Sequence, residues 1–287
     1  MFKRRPERDS VERMAARAPR LPAGWERIPD NSGSLRGEWV RPHAAHARHE
    51  DPTLLYLHGG GYVSGTVATH RPLVIAIALA ADMRAFSLEY RRAPEHPFPA
   101  AVNDAEDAYR ALLDRGIPAA RMVLVGDSAG GGLALAAVLA ARDHGVPLPA
   151  GLWLMSPVTD QAATGDSLRE NDRRDAMFYG DSIRRLATIY LQGAPATHAL
   201  ASPLYADFTG LPPLCIHASD SEILRDDAIR LAERAQAAGV DVTLRLWHAV
   251  PHVWQFLLGF VPEARESVEA GAMFLRSRVG GVPVRVE

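Results

Sequence analysis

From Thr53 onward the chain alternates short, unbroken apolar runs with longer stretches rich in alanine, leucine and arginine. The runs at Thr53–Leu57, 84–89, 122–125, Gly151–Met155, 214–218 and Val242–Trp247 read as strands. Several, such as Val123-Leu-Val and Leu152-Trp-Leu-Met, lack the in–out alternation of a half-exposed sheet and so predict strands covered on both faces. Between them, 71–81, 100–115, 129–144, 223–238 and Pro262–Arg278 read as helices. This alternation predicts an α/β fold, a mostly parallel central sheet flanked by helices. Ahead of it, 24–29 and 36–40 fit an antiparallel edge pair.

Two stretches break the rhythm. Residues 158–208 hold no convincing core strand, yet they are rich in Asp, Arg, Met, Phe and Tyr. So long a connection is not expected to be structureless, and it reads as a helical insertion with 181–191 its clearest helix. The first 20 residues read as a second polar, helical element. Both can cover one end of the sheet, giving a single domain over 1–287 with a helical cap drawn from about 1–22 and about 158–208.

Composition narrows the chemistry. With 32 basic and 34 acidic residues among 287, the net charge of −2 offers no field for nucleic acid or an anionic membrane. Lys3 is the only lysine, which excludes a Walker A loop, a Schiff-base lysine and a Ser-Lys dyad. The single cysteine, Cys215, excludes an internal disulfide framework and a Cys-x-x-Cys site, and reads as a small buried hydrophobe. The basic start runs into Asp9, Glu12 and Arg13 and not into an apolar stretch, and no apolar run is long enough to span a bilayer. A soluble, cytoplasmic protein is expected. His43, His46 and His49 recur every third residue, but their Ala, Arg and Glu neighbours read as a solvated segment, so no metal is expected.

The sharpest signal is Gly126-Asp-Ser-Ala-Gly-Gly-Gly132, placed between an apolar strand and a helix. That is the setting of a Gly-x-Ser-x-Gly nucleophile elbow, in which small neighbours let Ser128 project from a strained turn above the sheet. A second signal, His58-Gly-Gly-Gly-Tyr62, ends the strand Thr53–Leu57. Backbone N–H groups of Gly59 and Gly60, with that of Ala129 after the nucleophile, are the expected donors of an oxyanion hole. His58 reads as a support for this loop and not as a base. A serine also needs a histidine to take its proton and a carboxylate to orient that histidine. His248 ends the strand Val242–Trp247, while His252 lies in the loop before a helix at 253–260. The loop position favours His252. For the acid, Asp220 and Glu222 share the loop after 214–218, and spacing does not separate them. Asp226 and Asp227 lie in the first turns of the next helix, as dipole partners. The order Ser128, acid, His252 is the α/β-hydrolase order.

Together, His58-Gly-Gly-Gly and Gly126-Asp-Ser-Ala-Gly-Gly131 resemble the bacterial hormone-sensitive-lipase family of α/β-hydrolases. So do Glu89-Tyr-Arg-Arg-Ala-Pro-Glu-His-Pro-Phe-Pro-Ala-Ala101, Ser202-Pro-Leu-Tyr and Leu211-Pro-Pro213. The resemblance covers roughly 36–278. It implies hydrolysis of small carboxylic esters, usually with short acyl chains, through an acyl-enzyme, without cofactor or metal, under an N-terminal and inserted cap. Related folds often form a homodimer through a C-terminal edge strand. Three places depart from the commoner pattern: Arg92 stands where leucine is usual, Val253-Trp254 where Gly-Phe is frequent, and the acid loop differs. Many members carry Asp-Pro-Leu-Arg-Asp there. Aligning Leu224-Arg225-Asp226 puts Glu222 at the triad position, with Asp220 the alternative. Tyr62, Phe178, Tyr179 and Trp254 are candidates to line the substrate pocket, against ordinary cap packing.

The expected activity is thus a serine carboxylesterase. A lactone hydrolase or an acetyl-ester hydrolase acting on a secondary metabolite would use the same machinery, as would an acyltransferase. A non-catalytic ligand receptor on this fold is the reading from another class. The plant gibberellin receptors resemble the family but lack the working histidine, and the presence of His252 here counts against it.

Overall fold

The computed structural model describes residues 21–43 and 51–280. Eight strands form one sheet: β1 (Trp25–Ser32), β2 (Leu35–Pro42), β3 (Thr53–Leu57), β4 (Arg84–Leu88), β5 (Met122–Asp127), β6 (Gly151–Met155), β7 (Leu214–Ser219) and β8 (Val242–Trp247). Their spatial order is β1-β2-β4-β3-β5-β6-β7-β8. The β1–β2 hairpin is antiparallel and joins β4 antiparallel, as expected for an early edge pair; every pairing from β4 to β8 is parallel.

Strand side chains alternate between faces, and here both faces are dry. Leu55, Leu57, Leu124, Leu152, Leu154 and Ile216 enter one buried layer. Their neighbours Leu54, Tyr56, Val123, Val125, Trp153 and Cys215 enter the other. That is why the strands read as unbroken apolar runs. The first layer is covered by α2 (Ala100–Asp114), α3 (Ala129–Asp143) and α6 (Arg225–Ala237), the second by α1 (Val67–Ala81) and α7 (Pro262–Arg278). α2 buries Ala101, Val102, Ala105, Ala108, Tyr109 and Leu112, one stripe at helical spacing. α3 is buried on every side from Ala129 to Ala141, which suits its apolar sequence and its place behind the middle of the sheet.

Two elements depart most from expectation. α1 begins at Val67, four residues before the expected 71, because Thr66 and Thr69 form a reciprocal capping box and the Glu89 carboxylate accepts the Val67 N–H at 2.8 Å. The helix expected at 253–260 is only a single 3-10 turn, Trp254–Leu257; Val253, at φ 49°, cannot begin an α-helix.

Residues 158–208 contain α4 (Ser167–Glu170), α5 (Ser182–Leu191) and a 3-10 turn at Pro203–Tyr205, and no strand. Residues 1–20 lie outside the described residues, so the N-terminal cap element expected there is not addressed. His46 and His49 are outside them too, while His43 is exposed and pairs with Glu26. Among the described residues no helix is long and apolar enough to cross a membrane.

Candidate active site

The loops that carry the candidate residues all leave the carboxyl ends of β3, β5, β7 and β8, where ligands bind in open parallel sheets. Ser128 follows β5 directly and stands before α3 with φ 53° and ψ −123°, a strained backbone for a residue with a side chain. The strain is held from both sides. Ser128 N–H donates to the Met155 carbonyl at 2.7 Å, and its own carbonyl accepts from Val158 and Gly131 at 3.0 Å. Close approach fixes the glycines around it: a Cβ on Gly126 would lie 2.2 Å from the Gly130 carbonyl oxygen, and one on Gly130 would lie 2.0 Å from that of Leu57.

His252 and Glu222 meet directly. His252 Nδ1–H donates to Glu222 Oε2 at 2.6 Å, and both side chains are buried. The other carboxylate oxygen accepts Ser156 Oγ–H at 3.0 Å and Ser219 N–H at 2.7 Å, so Glu222 is held on both sides. Ser156 Oγ also accepts Val253 N–H at 3.4 Å, tying the histidine loop to the end of β6. With Nδ1 committed as a donor, Nε2 carries the lone pair, and it is buried without a hydrogen-bond partner among the described residues. Burial alone would lower the His252 pKa. The hydrogen bond and charge of Glu222, helped by Asp175 and Asp127, outweigh it, and the net shift is upward.

The alternative pair forms elsewhere. His248 bonds to Asp220 Oδ2 at 2.7 Å, and Asp220 Oδ1 accepts Ala249 N–H at 2.9 Å, all at an exposed position. Asp226 and Asp227 stand in the first turn of α6 as expected.

The glycine loop after β3 is built around a residue the sequence left unremarked. Asp127, buried beside the nucleophile, accepts Tyr56 Oη–H at 2.7 Å and Gly59 N–H at 2.9 Å through one oxygen. Its other oxygen lies 3.4 Å from His70 Nε2. The expectation that Gly59 donates to an oxyanion is therefore corrected, because its N–H is already engaged. Gly60 and Gly61 donate no hydrogen bond within the described residues, nor does Ala129 N–H at the first position of α3. Gly60 and Gly61 have φ of 120° and 63°, which glycine adopts without penalty. His58 props the loop, as expected. Its Nδ1–H donates to Gly59 O at 2.8 Å, its carbonyl accepts Tyr90 Oη–H at 2.6 Å, and its ring stacks on Tyr90. Burial, with nearby His70, pushes its pKa down to about 3, so it stays neutral. Arg92, where leucine is usual, donates to the Gly65 carbonyl at 2.6 Å and pairs with Glu89.

The four pocket candidates divide. Phe178 packs edge-on against His252, ring centroids 5.0 Å apart. Tyr62 is buried and stacks on Tyr190 of α5 at 3.9 Å. Tyr179 is half-exposed and lines a cavity of about 720 Å³ with Leu168, Arg169, Asp181 and Arg185, which includes none of Ser128, Glu222 and His252. Trp254 is corrected: it is fully buried in a satellite core with Trp247, Val250 and Ala264, and its indole N–H donates to the Glu263 carbonyl. Among the described residues no cluster of His, Cys, Asp and Glu is arranged to hold a metal ion.

Known proteins show the family to which the chain belongs. Residues 54–256 match the family model of the alpha/beta hydrolase fold. An acetyl-hydrolase of Streptomyces hygroscopicus is 46% identical over 248 residues, 86% of this chain and 82% of the relative. An esterase of Acinetobacter venetianus is 34% identical, covering 87% and 81%. A crystal structure of an esterase from the bacterial hormone-sensitive lipase family superposes with a TM-score of 0.89 at 43% identity, covering 95% and 91%. The chain belongs to the α/β-hydrolase fold family, among its bacterial hormone-sensitive-lipase esterases, and is a carboxylic ester hydrolase.

Proposed function

We propose that the enzyme hydrolyses small esters of short acyl chains, acetyl esters foremost, through an acyl-enzyme on Ser128. The observation that carries the reading is the buried His252–Glu222 bond, which leaves Nε2 without a hydrogen-bond partner among the described residues. Ser128 Oγ attacks the ester carbonyl as His252 Nε2 takes its proton, and Glu222 stabilises the imidazolium. The carbonyl oxygen, now anionic, accepts hydrogen bonds from Gly60, Gly61 and Ala129 N–H. His252 returns the proton to the departing alcohol. Water then repeats the sequence on the acyl-enzyme, and its proton passes through the same nitrogen as the acid is released. Every step uses side chains and backbone of this chain and invokes no cofactor.

The short-chain preference rests on 158–208 acting as a cap. Phe178 packs on His252 and Tyr190 on Tyr62, and a Cβ at Gly61 would lie 2.9 Å from Leu186. Side chains this close to the glycine loop and the histidine leave little room for a long acyl group. The similarity to an acetyl-hydrolase supports the same choice. The outer edge of β8, the last strand of the sheet, supports a homodimer, and the one cysteine, buried and unpaired, supports a reducing cytoplasm.

Initial rates on p-nitrophenyl acetate, butyrate, octanoate and laurate, for wild type and Ser128→Ala, test the reading. A Ser128-dependent rate that is highest on acetate or butyrate is expected. A rate that rises toward laurate would sink the short-chain preference, and one unaffected by Ser128→Ala would sink the mechanism.

A further inference from the structure

The loop that carries Glu222 is gripped by side chains of 158–208. Asn171 Nδ2–H₂ donates to two carbonyls of that loop, Asp220 O at 2.9 Å and Glu222 O at 2.8 Å. Asp175 Oδ2 accepts Ile223 N–H at 2.8 Å, and Ser167 Oγ–H donates to the Ile223 carbonyl at 2.7 Å. The peptide group after Glu222 is thus held at both its C=O and its N–H, and the Asp220 and Ile223 carbonyls that flank it are held too, all by side chains distant in sequence. Asn171 and Asp175 are both buried and lie one turn apart, linked by a 2.8 Å bond from Asp175 N–H to Asn171 O. The second oxygen of Asp175 accepts Met177 N–H at 2.7 Å and Phe178 N–H at 2.9 Å, which fixes the residue whose ring meets His252.

We propose that Asn171 and Asp175 are positioning residues that clamp the backbone around Glu222 and so keep the Glu222–His252 pair aligned with the nucleophile. The proposal rests on reading Glu222 and His252 as the orienting acid and the base. Ser156 and Ser219 hold the Glu222 carboxylate, but a backbone loosened behind it would shift its aim, and a misplacement of about 1 Å can cost about 100-fold in rate. Through this clamp the segment that covers the site also tunes its chemistry. Three carboxylates favour the protonated His252 ring: Glu222 on its loop, Asp175 on the inserted segment and Asp127 at the end of β5.

The test compares Asp175→Asn and Asn171→Ala in the full-length enzyme, with kcat and KM measured across pH and folding followed by thermal melting. Both are expected to lower kcat by about tenfold with KM within about twofold, since alignment and not binding is lost. Only Asp175→Asn removes a charge near the base, so its acid limb of kcat/KM is expected at lower pH than wild type, while that of Asn171→Ala stays in place. Restoring the carboxylate as Asp175→Glu is expected to move the limb back. Wild-type kcat in both variants, or an acid limb unmoved by Asp175→Asn, overturns the proposal. If Asp175→Asn does not fold, Asn171→Ala alone decides through its kcat. Glu222→Gln is measured alongside: if it keeps wild-type turnover, the underlying acid assignment fails, whereas its inactivity beside a fully active Asn171→Ala fails the clamp alone.

Discussion

Two histidine–carboxylate pairs join the same two loops, and they differ chiefly in water. His252–Glu222 is 3% and 0% exposed, while His248–Asp220 is 83% and 34% exposed. Their bond lengths, 2.6 and 2.7 Å, hardly distinguish them. What distinguishes them is the company each carboxylate keeps. Glu222 is held by Ser156 and Ser219 in a dry setting, where a charge keeps its strength. Asp220 extends the sheet by one rung instead: its N–H bonds to the Trp247 carbonyl, and its side chain closes the turn at Ala249. Nearby hydrogen bonds from Ala249 and His248 outweigh its partial burial and hold its carboxyl below the usual range. In the proposed mechanism the buried pair moves protons, while the exposed pair latches two loops. Residue type and spacing are alike in both, so burial is what argues for the buried pair as acid and base.

The largest effect that separates them is loss of the base or nucleophile. His252→Ala or Ser128→Ala is expected to cut kcat/KM by about 10⁴-fold or more, whereas His248→Ala stays within about twofold. Assays of the three variants on p-nitrophenyl acetate check this. Next comes the acid: Glu222→Gln is expected to cost on the order of 10³-fold, and Asp220→Asn less than about threefold. The reverse ranking would transfer the role to Asp220. A third contrast is in pH. The base works as neutral imidazole, and His252 is shifted above its ordinary 6.5, so kcat/KM falls as pH drops through that raised value. The acid limb should therefore lie above 6.5 and be unmoved by His248→Ala. The smallest effect is on stability. An exposed pair contributes at most about 1 kcal/mol, so His248→Ala should shift Tm by no more than about 2–4 °C, and less at high salt.

Much of this was legible in the chain itself. Unbroken apolar strands announce a sheet buried on both sides, and the settings of Ser128 and His58 announce an elbow and a glycine loop. The family resemblance put Glu222 at the acid's position before Leu224-Arg225-Asp226, the loop favoured His252, and the structure joins the two by a 2.6 Å hydrogen bond. What was hidden depends on contacts made across the fold. The Gly59 N–H is taken by a carboxylate 68 residues away, so the glycine N–H groups left to donate are those of Gly60 and Gly61, one residue later than expected. Trp254 looked like a pocket wall because it is aromatic and near the histidine, but the positive φ at Val253 accompanies a turn that carries its ring into the core. Asn171 and Asp175 sit in a polar stretch without periodicity, where nothing local marks a residue whose partners lie 48 to 51 positions onward.

Asp127 occupies the variable place in Gly-x-Ser-x-Gly, yet its carboxylate joins β3, α1, the glycine loop and the nucleophile turn. Tyr56, His70 and the Gly59 amide were all fitted to an acid at that position. An ancestor or a redesigned variant that replaced Asp127 with a smaller neutral residue would strand a tyrosine hydroxyl and an imidazole in a dry interior. Those positions should therefore be inherited as a set, and a library that randomises the motif's middle residue alone would sample mostly broken hinges between the nucleophile turn and the glycine loop.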